Sequence, residues 1–474
     1  MSAYVPPAGS IPTLPVPSLD GVRSVHMIGI GGAGMRNLAR LLRARGIAVT
    51  GSDMKDSRGI AELNESGATV WVGHDAGRLG TPDVVVVSSA IRETNPELRA
   101  ARDRDLVVWA RQQALAALAA GHRAIAVAGT HGKTTTTSMI AVLLERAGLE
   151  PSYLIGGDLN ESGSGAKSGG GDLFVFEADE SDGSFLLTRP HIGVVTNVDV
   201  DHVDFYAGGR AEIESAFASF VESCRQAVVC GDDPGVRAVL DEVGVPTVRY
   251  GRGEDNDLVL SVGDLGPEGA SGLVRDAGGR EASVRLRVDG EHNLLNAVAA
   301  IAAAGLVGVS LEDAAAAVAA FAGVHRRFER RGIARGVEFF DDYGHTPTEM
   351  AVTIETARRR RPQRLIALVQ PHRYSRVQAL WRELGASVAG ADLVLVTDVF
   401  GAAQDPIPGV TGRLVAEGVQ LAAPSTPVVY LPHRTEIIDY LAREVRPGDL
   451  VLTMGCGDVW MLADAALERL GPDA

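Results

Sequence analysis

The sequence predicts an α/β protein of three domains, each built on a mostly parallel sheet. Three observations carry that expectation. Short apolar runs alternate with segments whose apolar residues recur at helical spacing, the pattern of parallel βαβ units. Two such runs, Ser24-Val-His-Met-Ile-Gly-Ile30 and Ile125-Ala-Val-Ala128, pass directly into glycine-rich turns that open helices. A length of 474 residues, at roughly 150 per domain, holds about three.

Residues 2–20 carry five prolines and almost no charge, so 1–20 reads as a flexible leader. The first domain, 21–121, opens with the strand at Ser24 and the turn Gly29-Ile-Gly-Gly-Ala-Gly34. A helix follows with Met35, Leu38, Leu41 and Leu42 on one face and stops near Gly46. The strand Ile47-Ala-Val-Thr50 then leads into Gly51-Ser-Asp53, and Asp83-Val-Val-Val-Val87 into Ser88-Ser-Ala-Ile91. Gly29, Gly31 and Gly34, with Asp53 standing 19 residues after the last glycine, form a Rossmann-like nucleotide fingerprint. Alone, that fingerprint fits a nicotinamide or flavin. Beside a second nucleotide loop, it suggests the diphosphate of a substrate.

The second loop opens the central domain, 122–330. Gly129-Thr-His-Gly-Lys-Thr-Thr-Thr-Thr137 lies between the strand at Ile125 and an apolar helical segment that stops at Gly148. Strand, glycine turn, Lys-Thr and helix form a phosphate-binding loop: backbone N–H groups and the helix start face an anion, and Lys133 adds a point charge. The Thr134 hydroxyl can ligate Mg²⁺. Val127 stands where the longer form of the motif has glycine. Leu173-Phe-Val-Phe176 delivers Glu177, the best candidate for a metal carboxylate, whereas Asp179, Glu180 and Asp182 read as caps or solvated acids. Ile192-Gly-Val-Val195 runs into Thr196-Asn-Val-Asp-Val-Asp-His202, and on residue chemistry alone His202 reads as a structural or surface histidine. The glycine-rich stretches 162–171 and 263–279 read as surface loops, and an Ala-rich helix covers 293–305.

The third domain, 331–474, has strands at Val337-Glu-Phe-Phe340, Leu365-Ile-Ala-Leu-Val369, Leu393-Val-Leu-Val396 and Leu450-Val-Leu452. Polar segments follow each, and they place His345, His372, Arg373 and Arg376 after two of the strands. Two guanidinium groups with histidines make a carboxylate or phosphate clamp. Cys456, in a Gly-Cys-Gly turn, reads as a small residue filling a tight loop.

Composition narrows the function classes. The net charge of −15 argues against a general nucleic-acid or anionic-membrane binder. Arg358-Arg-Arg-Arg361 reads as a solvated helix end before Pro362. Three cysteines without a Cys-x-x-Cys pair fit a reduced, cytoplasmic setting. Neither a signal peptide nor a membrane-spanning run is expected.

Together these segments resemble the Mur ligases of peptidoglycan synthesis. The likeness rests on His26-Met-Ile-Gly-Ile-Gly-Gly-Ala-Gly-Met35, Gly129-Thr-His-Gly-Lys-Thr134, Phe176-Glu-Ala-Asp-Glu-Ser-Asp182, Thr196-Asn-Val-Asp-Val-Asp-His202, His292-Asn-Leu-Leu-Asn296, His325-Arg-Arg-Phe-Glu329, Asp341-Asp-Tyr-Gly-His345 and Gln370-Pro-His-Arg-Tyr-Ser-Arg376. The glycine-loop and Pro-His-Arg-Tyr motifs favour the member that adds L-alanine.

The resemblance implies ATP-dependent joining of L-alanine to the carboxylate of UDP-N-acetylmuramate, through an acyl phosphate, by a monomer or homodimer using Mg²⁺ or Mn²⁺. It assigns the UDP substrate to Gly31, Gly32, Gly34, Met35, Ser52, Asp53, Ser88 and Ser89. ATP falls to Gly129, Thr130, His131, Gly132, Lys133, Thr134 and Thr135, with Asn296, Arg327 and Asp342. The metal falls to Thr134, Glu177 and His202. Tyr343, His345, His372, Arg373 and Arg376 form the amino-acid and acyl-phosphate end, in a third domain that closes the cleft. Departures from the family pattern are Arg36-Asn37, where a small hydroxyl residue commonly follows Met35, and Cys456, where alanine is common. No lysine after His202 matches the carbamoylated lysine of some relatives. A ligase attaching a preformed tripeptide, as in murein recycling, would share most of these motifs. A nicotinamide-dependent oxidoreductase would leave Lys133, Glu177 and the third-domain arginines without a role.

Overall fold

Runs such as Val84–Val87 are buried at every position, as strands covered on both faces must be. In the computed structural model, which describes residues 16–160, 162–181, 183–201, 205–402 and 404–471, such runs build three sheets. His202 and most of the leader lie outside the described residues. The chain divides into two compact units, 1–264 with 269–322, and 323–474 with 265–268.

The first sheet contains β1 (Ser24–Ile28), β2 (Ala48–Asp53), β3 (Thr69–Val72), β4 (Val84–Val87) and β5 (Val108–Ala110). Its order is β3-β2-β1-β4-β5, and every pairing is parallel. Strand order reverses between β1 and β4, where open α/β sheets bind their ligands. The glycine turn leaves β1 and Ser88 leaves β4 at that crevice.

The second sheet has ten strands: β6 (Arg123–Ala128), β7 (Ser152–Leu154), β8 (Ala166–Lys167), β9 (Leu173–Glu177), β10 (Ile192–Val195), β11 (Gln226–Cys230), β12 (Thr247–Gly251), β13 (Leu258–Gly266), β14 (Gly269–Asp276) and β15 (Glu281–Leu286). The order is β15-β14-β13-β12-β11-β10-β6-β9-β7-β8. β6 lies between β10 and β9, parallel to both, with Ala128 opposite Val195 and Val127 opposite Glu177. This register brings the phosphate loop, Glu177 and Thr196 level at one sheet edge.

One loop expectation needs correction. The stretch 263–279 lies largely in β13 and β14, and the latter pairs antiparallel with β15. Its glycines serve close strand approach: a Cβ on Gly272 would lie 2.9 Å from Ser261 O. The stretch 162–171 is a surface loop apart from the two-residue β8, and within it Gly165 packs so tightly that a Cβ would lie 2.3 Å from Gly157 O.

The third sheet contains β16 (Glu329–Ala334), β17 (Val337–Asp342), β18 (Arg364–Val369), β19 (Leu393–Val396), β20 (Val428–Tyr430) and β21 (Asp449–Met454), in the order β16-β17-β21-β18-β19-β20. Only β16 is antiparallel to its neighbour. The arginine run at 358–361 is engaged within the unit: Arg358 bonds Gly390 O and Asp392, Arg359 bonds Glu355, and Arg360 lies 4.8 Å from the Phe340 ring centre. No described helix is long and apolar enough to cross a membrane.

Candidate active site

The phosphate loop is held from both ends. Gly129 has φ +134°, and a Cβ there would lie 2.1 Å from Thr196 Oγ1, so only glycine fits. Thr196 Oγ1 donates to His131 O at 2.6 Å, and Asn197 Oδ1 accepts from His131 N–H at 2.8 Å. Thr130 Oγ1 accepts from Asp199 N–H at 2.9 Å. These contacts shape the turn before helix Lys133–Arg146 begins. Gly132, at φ +82°, sits beside Asn296, whose Oδ1 would be 2.9 Å from a Cβ. Asn296 is thereby brought to the loop from helix Glu291–Gly305.

Lys133 Nζ donates to Gly129 O at 2.7 Å and Glu180 Oε1 at 2.9 Å. Burial alone would lower its pKa, but Glu180, Asp179 and Glu177 outweigh that and raise it, so the ammonium stays charged. Glu180, expected to be a cap or solvated acid, is therefore a buried counter-ion to the loop lysine, only 3% exposed. Its partner lies 47 residues away in sequence, which no local pattern reports. Thr134 Oγ1 donates to Glu177 Oε2 at 3.2 Å, while Gly156 N–H holds Oε1 at 2.6 Å. A hydroxyl and a carboxylate facing each other form a hard oxygen donor set suited to Mg²⁺.

Around the first glycine turn, several expectations change. Asp53 Oδ2 accepts from Gly31 N–H at 2.9 Å, so this acid closes the turn on itself. Ser88 borders it, with its Cβ 3.1 Å from where a Gly29 Cβ would be. Ser52 is fully buried, and its hydroxyl bonds Glu97 and approaches His74 Nδ1 at 2.8 Å, which removes it from the substrate contacts. The Met35 side chain likewise points into the core, leaving only its backbone for a ligand. Arg36 packs against Gly59, with Nη1 2.0 Å from where a Cβ would be. Asn37 is fully buried and donates to Ile155 O at 3.0 Å, tying the glycine-turn helix to the segment that carries Gly156. Arg111 went unnoticed in sequence. Its Nη1 lies 2.6 Å from where a Gly34 Cβ would be, and its guanidinium faces Asp179 at 3.9 Å. A cation against a glycine turn is the group a diphosphate requires.

Glu97 supports this turn from beneath. Burial would raise its pKa, but hydrogen bonds from His26, Ser52 and the Asp75 N–H together hold it below the ordinary value. A lowered folded pKa means stability that is complete above the usual glutamate value of about 4.3 and lost as pH falls through the folded value. Glu97→Gln is expected to flatten the acid limb of stability below about pH 4.3, measured by denaturant unfolding across pH. An unchanged acid limb would show that Glu97 contributes none of it.

In the 323–474 unit, Asp341 and Asp342 end β17. Arg326 Nε donates to Asp341 Oδ2 at 3.0 Å, and its Nη atoms donate to Gly457 O at 3.0 Å and Gly455 O at 2.6 Å. Asp342 accepts from Phe328 N–H at 2.8 Å and Gly344 N–H at 2.7 Å. Its carboxylate therefore organises two loops. Burial pushes both aspartates above the ordinary value, against the opposing pull of Arg326 on one and Arg327 on the other. Arg326 and Arg327 each lie 5.0 Å from the Tyr343 ring centre. Glu349 Oε2 accepts from His345 N–H at 3.1 Å, and Arg376 Nη1 approaches His372 Nδ1 at 3.1 Å. Arg373 has φ +63° and occupies the N-cap position of helix Tyr374–Ser387 without a side-chain cap bond. The structure thus brings Tyr343, His345, His372 and Arg376 together, and Arg373 directly follows His372 on the loop that leaves β18. Burial pushes the Cys456 thiol up to about 12, so without a bound metal it stays protonated.

Known proteins resemble this chain along most of its length. Residues 24–123 match the Mur ligase family catalytic domain, 127–304 the Mur ligase middle domain, and 326–457 the Mur ligase glutamate ligase domain. The chain is 46% identical over 442 residues to UDP-N-acetylmuramate–L-alanine ligase of Nitratidesulfovibrio vulgaris strain DP4, covering 92% of this chain and 97% of the relative. A crystal structure of UDP-N-acetylmuramate–alanine ligase from Thermotoga maritima superposes with TM-score 0.81 at 26% identity, covering 94% of this chain and 98% of that one. A murein peptide ligase from Psychrobacter arcticus superposes with TM-score 0.72 at 27% identity, covering 96% and 100%.

Proposed function

This chain belongs to the Mur ligase family, and from that membership we propose that it joins L-alanine to the carboxylate of UDP-N-acetylmuramate at the expense of ATP. The observation that carries the proposal is the near-full-length identity to a relative named for that reaction. The geometry supports each part. Lys133, kept charged by Glu180, would steady the β- and γ-phosphates. The glycine turn with Arg111 would receive the UDP diphosphate. Tyr343, His345, His372, Arg373 and Arg376 would serve the amino acid and the acyl phosphate. Nucleotide substrates and unpaired cysteines support a cytoplasmic setting.

In the reaction, a substrate carboxylate oxygen attacks the γ-phosphorus, the bond to ADP breaks, and an acyl phosphate results. The alanine amine then adds to the acyl carbon and expels phosphate. No covalent protein nucleophile is needed, so this chain contributes position and charge. Thr134 and Glu177 would hold Mg²⁺, and His202 would complete that set by family likeness. The ion supplies neutralisation of phosphate charge. The backbone N–H groups at the start of helix Lys133–Arg146 would cradle phosphate oxygens, and the buried Lys133–Glu180 pair keeps the ammonium in place before substrate arrives.

Phosphate release is expected only when ATP, Mg²⁺, UDP-N-acetylmuramate and L-alanine are all present. Equal turnover with a tripeptide in place of L-alanine, or none with L-alanine, would overturn the assignment.

A further inference from the structure

Three loops of the 323–474 unit leave adjacent parallel strands at the same level. β21 lies between β17 and β18, and Met454 stands opposite both Asp342 and Val369. Each exit loop carries one nitrogen or sulfur donor: His345 after β17, His372 after β18 and Cys456 after β21. One ligand atom from each lies within 4.8 Å of the others. We propose that His345, His372 and Cys456 form a site for a thiophilic divalent metal, best matched by Zn²⁺, whose occupation opposes binding of the amino-acid substrate. The second half of that proposal rests on the ligase function above. The first half does not.

The donor set selects the ion. Two imidazoles and a thiolate with an open fourth position suit Zn²⁺, whereas Mg²⁺ prefers oxygen donors such as the Thr134–Glu177 pair. Bond lengths of about 2.0–2.1 Å to nitrogen and about 2.3 Å to sulfur place tetrahedral ligands roughly 3.3–3.6 Å apart. The three side chains must therefore draw in by about 1 Å from the observed upper separation. His345 is already oriented for the task. Its Nδ1 lies 3.1 Å from Tyr343 O and 3.5 Å from Glu349 Oε2, so an Nδ1–H held there leaves Nε2 as the ligand. Glu349, Arg326 and Arg376 all act on the Cys456 thiol, so Glu349 offsets part of the positive charge that the two guanidinium groups place at the site. Binding forms a metal–sulfur bond, breaks the Cys456 S–H bond and releases one proton to solvent.

His372 explains the antagonism. Its Nδ1 faces Arg376 Nη1 at 3.1 Å, so ligation through Nδ1 displaces the guanidinium, and ligation through Nε2 with Nδ1 protonated removes its acceptor. Either way Arg376 loses the partner that aims it. Cys456 supplies the ligand that alanine at this position could not.

The test titrates the full-length protein with Co²⁺ in Mg²⁺-free buffer and follows the sulfur-to-cobalt charge-transfer absorption. One equivalent should develop the band, and Zn²⁺ should displace it. Cys456→Ala and Cys456→Ser should abolish the band and weaken Zn²⁺ binding by at least about tenfold, the minimum associated with losing even an outer-sphere partner. Cys224→Ala, at a buried cysteine of the other unit, should leave the band intact. Absence of the band in the wild type, or its survival in both Cys456 variants, would overturn the site. In turnover assays Zn²⁺ should raise the KM for L-alanine in the wild type but not in Cys456→Ala. A Cys456-dependent band with an unmoved KM would overturn the antagonism alone. The same band with no ligase activity would overturn the ligase reading and leave the metal site standing.

Discussion

Lys133→Ala is expected to lower kcat by about a hundred- to a thousandfold, the loss typical of removing one charge-stabilising donor from a dry site. Phosphate release measured with all substrates saturating reads this directly. The variant has a second consequence, because it strands Glu180 as a buried, uncompensated carboxylate. Removing one partner of such a pair costs about 3–5 kcal/mol of stability. The two effects separate in Lys133→Ala/Glu180→Gln, where the stranded charge is gone. That double variant should regain most of the stability and none of the turnover. Near-normal kcat in it would remove the phosphate loop from the mechanism. The lysine also has a pH signature. Its raised folded pKa contributes stability in full below the ordinary lysine value of about 10.4, lost as pH rises through the folded value.

Asp341→Ala should destabilise the 323–474 unit by about 3 kcal/mol, the lower end of the range for breaking a buried ion pair. The lower end applies because Arg326 keeps two carbonyl partners, Gly455 O and Gly457 O, and because Asp341 itself is raised in pKa by burial. Thr453 Oγ1, which donates to Asp341 Oδ1 at 2.5 Å, also loses its acceptor. Denaturant unfolding, followed by the transition assigned to this unit, measures the shift. A change under about 1 kcal/mol would show that the Arg326–Asp341 pair is no more than a surface-grade contact. Turnover should fall as well, since Arg326 aligns the Tyr343 ring and the turn around Cys456.

Most of the candidate-site loops were legible in sequence because each follows an apolar strand without interruption. The turns at Gly29 and Gly129, the acid at Glu177 and the cluster at His345 and His372 are all of this kind. Legibility failed where a residue's role depends on a distant partner. Ser52 reads as a loop hydroxyl beside Asp53, yet Glu97 and His74 draw it into the interior. Glu180 reads as one solvated acid among several until Lys133 is seen to lie against it. Arg111 opens a helix with no motif of its own, and only the packing of that helix sets it against Gly34. The glycines of 263–279 suggested a loop because composition cannot tell a permissive backbone from a closely approached one.

By itself, the sequence determined the α/β class, the order of two glycine loops and an arginine–histidine cluster, and the family to which they belong. These are local facts, carried by hydrophobic period, turn chemistry and short motifs of fixed spacing. Tertiary structure alone decided which acid pairs with Lys133, which serine is buried, where Arg36 and Asn37 point, and that Cys456 stands beside two imidazoles. Those outcomes depend on strand order and register, which bring together residues tens to more than a hundred positions apart, and no local pattern encodes that separation.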